Sequence, residues 1–283
     1  MELSVAVPAS CGELVQGYLH GAPFLVTLPI HRYAVATVRD DGRGERPTGW
    51  KSREALRHIL SYYKVANFPY SLTVASSIPR GKGMASSSAD MGAVLYAAAT
   101  ALEKELTAQE AAYIAASIEP TDGVFCPGLC CLNYETGQIH RVYDYALPLV
   151  IVMIDTGGNI DTLQFHASHP DERGELSPAV QALLHEPWSY ECIGAAATAS
   201  AFANQQILPK PRLDELYTEM MSRGALGINV AHSGTMIGIL FRLEREDAYY
   251  AQSVCAGLEQ IQYEGTYYDT VHVVSGGYRA SYR

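Results

Sequence analysis

Apolar and polar positions divide the chain into short extended runs followed by segments of helical period. Residues 4–7 predict a first strand, and residues 24–27 and 33–38 predict two more, with Pro29 marking a break between them. Residues 8–17 form a mixed segment with glycines at 12 and 17, able to turn Glu13 and Gln16 inward. Taken alone, that stretch is also an ordinary hairpin with a solvated Glu13. Residues 40–49 are polar and rich in Gly and Arg, a loop, and residues 52–63 predict a helix with Leu56, Ile59 and Leu60 on one face.

Leu72, Val74 and Ile78 belong to a further extended run, and residues 89–102 predict a buried helix rich in Ala, Leu and Met. Thr107 and Glu110 form a capping box that opens a helix through residues 111–118, which Pro120 ends near Glu119. Residues 128–132 and 138–142 predict strands joined by Glu135, Thr136 and Gly137. The apolar run 147–155 starts a second domain, because a strand, helices, strand, helix rhythm follows it; the expected division is 1–147 and 148–283. In that half a small-residue helix covers residues 191–204. An amphipathic helix carries Leu213, Leu216, Tyr217 and Met220, and Gly224 ends it. Residues 236–241 predict a strand, 244–262 a helix and 271–274 the last strand.

With 48% hydrophobic and 18% charged residues, 283 residues suffice for two ordinary domains. No apolar run reaches the roughly 18 residues of a spanning helix, and the first nine residues lack a basic segment leading into an apolar one, so a cytoplasmic protein is expected. A net charge of −10 argues against a nucleic-acid surface, which needs a basic face. The six cysteines form no paired motif, so buried or free thiols are expected rather than a metal site. His166, His169 and Asp171 fit no standard closed metal site and read as a solvated loop.

Candidate chemistry concentrates in Pro79, Arg80, Gly81, Lys82, Gly83, Met84, Ala85, Ser86, Ser87, Ser88, Ala89 and Asp90, a glycine and serine run between a strand and a helix. Glycine admits close approach of an anion, and the helix N-terminus supplies unpaired N–H groups and partial positive charge. The three serines serve equally as helix caps. The spacing is neither a Walker loop, since Gly83 follows Lys82, nor a dinucleotide fingerprint, since Ser86 stands where glycine is required. Glu119 and Asp122 place two carboxylates at a helix end, where Asp122 also suits a plain turn. His232, a lone histidine beside Ser233, is of a kind more often found hydrogen-bonded in a loop than in catalysis.

Taken together, segments 8–17, 77–90, 117–123 and 229–234, with 208–211 as a lesser fifth, resemble the GHMP small-molecule kinases, and within them the branch that phosphorylates free L-threonine. The runs Ser-Ile-Pro-x-x-Lys-Gly-Met-Ala-Ser-Ser and Ser-Ile-Glu-Pro-Thr-Asp carry most of the likeness. The resemblance implies an α+β, two-domain fold. Its N-terminal domain is like ribosomal protein S5 domain 2, its C-terminal domain is ferredoxin-like, and the active site lies between them. It also implies ATP and Mg²⁺ as cofactors and transfer of phosphate to the threonine hydroxyl, giving L-threonine O-3-phosphate for cobalamin synthesis. Homoserine or pantoate as acceptor, or a non-catalytic sensor on the same fold, are the alternatives; a small molecule is the expected partner, with no nucleic acid and no membrane.

By position, the resemblance puts residues 79–89 around ATP and Ser87 and Glu119 on Mg²⁺, with Lys82 near phosphate and Asp122 at the acceptor hydroxyl as the catalytic residues. Which of Glu119 and Asp122 is base and which metal ligand stays open. Ser10 and Cys11 stand where the family often has Lys or Arg, so Glu13 and Gln16 become candidates for the ammonium group of an amino acid. His232 and Ser233 fall in the third motif, which holds a single glycine here and is placed at the substrate.

Overall fold

Two 18-residue strands, β1 (Glu2–Leu19) and β2 (Ala22–Arg39), form the hairpin on which the other elements are arranged. Two residues turn it, His20 at φ 54° and Gly21 at φ 80°, the positive angles that suit the right-handed twist of the flanking strands. The computed structural model describes residues 2–143, 148–158, 176–185 and 188–283. His166, His169 and Asp171, and the start of the apolar run at Leu147, lie outside the described residues.

Three expectations for this hairpin differ from the structure. Residues 8–17 are not a separate turn but the middle of β1, and Pro29 does not end a strand. The chain absorbs both through register shifts: Pro8 faces Tyr33 while Ala9 faces Ile30, and further irregularities flank Glu13. Such bulges re-aim side chains while leaving pairing intact on either side. A final strand, β10 (Arg279–Tyr282), was not expected; it is exposed along its length and pairs with residues 3–6 of β1.

Helix α2 (Ser86–Ala101) packs on the hairpin, α1 (Trp50–Tyr62) and α3 (Ala108–Ala116) pack on α2, and α3 starts with the expected capping box. Helix α2 is buried almost throughout, with Met91, Val94 and Leu95 fully enclosed, each side chain contributing about 1.5–3 kcal/mol by burial. Strands β3 (Ser71–Ser76), β4 (Leu129–Leu132) and β5 (Ile139–Tyr143) extend the β2 side.

On the β1 side, β7 (Gly227–Val230) leads to β8 (Met236–Arg242), β6 (Leu149–Asp155) and β9 (Thr266–His272). The pairs are antiparallel throughout. The Tyr190–Ala203 helix packs on β1 and β7, and the Leu213–Ser222 and Asp247–Gln260 helices enclose a second apolar cluster beside β6 and β8. Among the described residues, no helix is long and apolar enough to cross a membrane, and no group of three or more His, Cys, Asp or Glu could hold a metal. All six cysteines are free, four of them buried.

Candidate active site

Helix α2 begins without a side-chain cap. Its N-cap is Ala85, held in the left-handed region at φ 55°, so Ser86, Ser87 and Ser88 occupy the first helical turn and the capping alternative is set aside. Ser88 turns inward instead: its hydroxyl donates to Asp122 Oδ2 (3.1 Å) and accepts from the Asp122 backbone N–H (3.0 Å) and the Thr121 hydroxyl (3.2 Å). The helix start thus presents donors, with the partial positive charge of the helix behind them, to a cleft open to solvent.

The loop before the helix is fixed from two sides. The Ser10 and Gly12 amides of β1 donate to the carbonyls of Met84 and Gly83, and the Thr235 and Met236 amides donate to the carbonyl of Lys82. Gly83 (φ 78°) and Gly234 meet face to face. A Cβ on Gly83 would lie 2.2 Å from that of Ala231, and one on Gly234 would lie 2.3 Å from the Lys82 carbonyl. The third motif, with its single glycine, therefore closes directly on the loop.

Three carboxylates converge below. Glu13 comes from the irregular middle of β1, and Glu119 and Asp122 from the turn after α3. Glu13 is hydrogen-bonded to Asp122 and to the Thr27 hydroxyl, which also accepts from the Gly123 amide (3.0 Å). Burial, followed by the charge of Asp122, pushes the Glu13 carboxyl well up; burial also raises Asp122, against the opposing effect of its bonds to Glu13 and Ser88. Glu119 is buried and forms an ion pair with Lys51 of α1, while its other oxygen, Oε1, is buried without a hydrogen bond.

Of the residues expected at the site, Glu13, Gly81, Gly83, Met84, Ala85, Ser86, Ser87, Ser88, Glu119, Asp122, His232 and Ser233 line this one cleft. Gln16 reaches it through His232, whose Nδ1 its side-chain oxygen contacts. Four lie elsewhere. Lys82 directs its ammonium to Asp155 (2.7 Å) and the Gly158 carbonyl (2.6 Å), Arg80 lies 3.8 Å from Asp90, and Pro79 and Ala89 flank the loop without entering the cleft.

Residues 51–127 match the family model described as "GHMP kinases N terminal domain", and residues 179–256 match "GHMP kinases C terminal". An L-threonine kinase of Citrobacter freundii is 32% identical over 255 residues, covering 86% of this chain and 88% of that protein. One of Salmonella typhimurium is 31% identical over 255 residues, covering 85% and 83%. The chain belongs to the GHMP kinases. In fold it is similar to the mevalonate kinase of Methanococcus jannaschii, with a TM-score of 0.72 at 13% identity over 96% of this chain and 98% of that one.

As a GHMP kinase the chain has the two-domain fold of that family and is a phosphotransferase acting on an alcohol, in a family that uses ATP, typically with Mg²⁺. Its residues fit such a cation: Glu119 Oε1 is an orphaned carboxylate oxygen, the Ser87 hydroxyl lines the same cleft, and both are the hard oxygen donors that Mg²⁺ takes.

Lys51 escaped the sequence reading, although a signal existed. It falls in the first turn of α1, where the helix favours acidic residues, and a lysine there needs a carboxylate from elsewhere. Thr27 and Tyr134 were missed too. Thr27 carried no signal in an apolar strand, and Tyr134, which lines the cleft 5.0 Å ring to ring from His232, sits among nineteen tyrosines.

Proposed function

We propose that this GHMP kinase transfers the γ-phosphoryl group of ATP to the side-chain hydroxyl of free L-threonine. The observation that carries the reading is the Glu13–Asp122 pair, one carboxyl buried and one half-buried, facing the uncapped start of α2 across one cleft. The helix start suits phosphates, and the acidic pair suits an acceptor that carries an ammonium group beside its hydroxyl. The two relatives named L-threonine kinase support the same acceptor.

In this reading the backbone of residues 81–88 holds the phosphates and Asp122 accepts the hydroxyl proton while the hydroxyl oxygen bonds to phosphorus and ADP leaves. Glu13 pairs with the ammonium group, while Gln16, His232 and Ser233 form the wall around the acceptor. Ser87 and Glu119 would hold Mg²⁺, which supplies neutralising charge on the phosphates when bound. Phosphoryl transfer passes through a loose transition state, so positioning and charge do most of the work and the base contributes less. The division near residues 147 and 148 is supported by the two family matches, which fall on opposite sides of it.

The test is ADP formation by the purified protein with ATP, Mg²⁺ and a panel of hydroxyl compounds. L-Threonine should give the highest kcat/KM. Faster turnover of homoserine or of an alcohol without an amino group overturns the acceptor, and tight ATP binding with no turnover on any acceptor favours the sensor.

A further inference from the structure

Lys210 belongs to the one resembling segment with no role so far. Its side chain is buried and its ammonium donates to the Gly234 carbonyl (2.7 Å), while its backbone is gripped at both N–H and C=O by the side chain of Gln205. Gly234 is the residue whose backbone meets Lys82 and Gly83 of the loop. On the other flank of the same turn, Asp155 at the end of β6 accepts from the Thr235 hydroxyl (2.6 Å), the Gly157 amide (3.0 Å) and the Lys82 ammonium.

We propose that Lys210 and Asp155 are positioning residues for the nucleotide loop, acting through the turn at residues 231–235. This rests on the kinase reading above and adds to it. Because Asp155 takes the Lys82 ammonium, that lysine pulls the loop onto the C-terminal half and leaves phosphate contacts to backbone N–H groups. Lys210 presses the turn from behind, so the carbonyl of Lys82 stays where the Thr235 and Met236 amides reach it. Burying an ammonium against one carbonyl is costly, and burial pulls its pKa down to about 8. A methionine of similar length would remove that cost and the grip together.

The experiment uses the full chain with Lys210→Met, Asp155→Asn, Lys82→Met and the Lys82→Met/Asp155→Asn double variant. It measures ATP affinity by calorimetry, KM for ATP and for L-threonine, and melting temperature. Lys210→Met and Asp155→Asn should each weaken ATP by about tenfold, as expected for losing a charged hydrogen bond, with the acceptor KM within about twofold. Lys210→Met should melt no lower than wild type, which a purely structural lysine would not allow. The double variant should be no weaker than the worse single one. Unchanged ATP affinity in Lys210→Met and Asp155→Asn overturns the proposal. So does loss of affinity in Lys82→Met alone with Asp155→Asn intact, because Lys82 then acts on phosphate directly. Wild type that binds no ATP defeats the kinase reading itself, and this inference with it.

Discussion

Glu13 and Asp122 share a hydrogen bond between a buried carboxyl from β1 and a half-buried one from the turn after α3. Burial first, and for Glu13 the neighbouring charge of Asp122 second, keep a proton on the pair where exposed carboxylates would have lost theirs, and the two titrate together. Lys51 and Glu119 are the other charged groups that bear on it.

Since folding raises both values, this pair contributes stability at low pH that is lost as pH rises through the raised values. Between about pH 5 and pH 8 the wild-type melting temperature should therefore fall more than that of Glu13→Gln. Activity runs the other way, because Asp122 must be ionised to take the hydroxyl proton. Asp122→Asn should lose about 10²- to 10⁴-fold in kcat. Glu13→Ala, which removes the bond that holds the Asp122 value down, should move the acidic limb of the rate profile to higher pH. An unmoved limb would assign the titration to another group.

Lys51→Met strands the Glu119 carboxylate in a buried place. Removing one partner of a buried pair costs about 3–5 kcal/mol, and Lys51 is a quarter exposed, so the lower end, about 3 kcal/mol, is expected in denaturant melts. Mg²⁺ with ATP should restore more stability to this variant than to wild type, because the metal then supplies the positive charge that Glu119 lost with Lys51.

Ser87→Ala and Glu119→Gln each remove an oxygen donor facing the cleft. Each should lower kcat by about 10²-fold or more, the scale of charge neutralisation by a held metal. The Mg²⁺ concentration for half-maximal rate should rise in step. Rates near wild type in both variants would move the metal elsewhere.

Gly83→Ala meets two obstacles: a left-handed backbone, worth about 1–2 kcal/mol, and the Ala231 Cβ 2.2 Å away. The single variant should lose ATP affinity and melt lower. Adding Ala231→Gly removes the overlap but not the backbone strain, so partial recovery of affinity is expected. No recovery would mean that the two residues are not in contact in solution.

Much of the fold was legible because helices α1, α2 and α3 have apolar faces or strong start signals such as the Thr107–Glu110 box. Strand β1 was read only over residues 4–7, because from Pro8 to Gln16 it is buried on both faces and alternation disappears. Pro29 misled because a proline normally ends pairing, whereas here a register shift makes room for it. Glu13, Glu119 and Asp122 were legible as carboxylates beside turns and glycines. The direction of the Lys82 side chain was not, because nothing in the loop announces Asp155, which lies 73 residues further along.

β1 has β2 on one side and β7 on the other, and its rung to β7 is the pair Glu13 and Val230, reinforced by the Asn229 amide reaching the Cys11 and Glu13 carbonyls. The residue proposed to grip the acceptor thus also carries the seam between the two halves of the sheet. Neither half is a transplantable module. A protein cut near residue 148 would bare the β7-facing edge of β1 as an open strand, prone to pair with other chains, and would lose the wall of its own cleft. Exchanging the C-terminal half for that of another acceptor's kinase would have to preserve this rung before any choice of acceptor could be read.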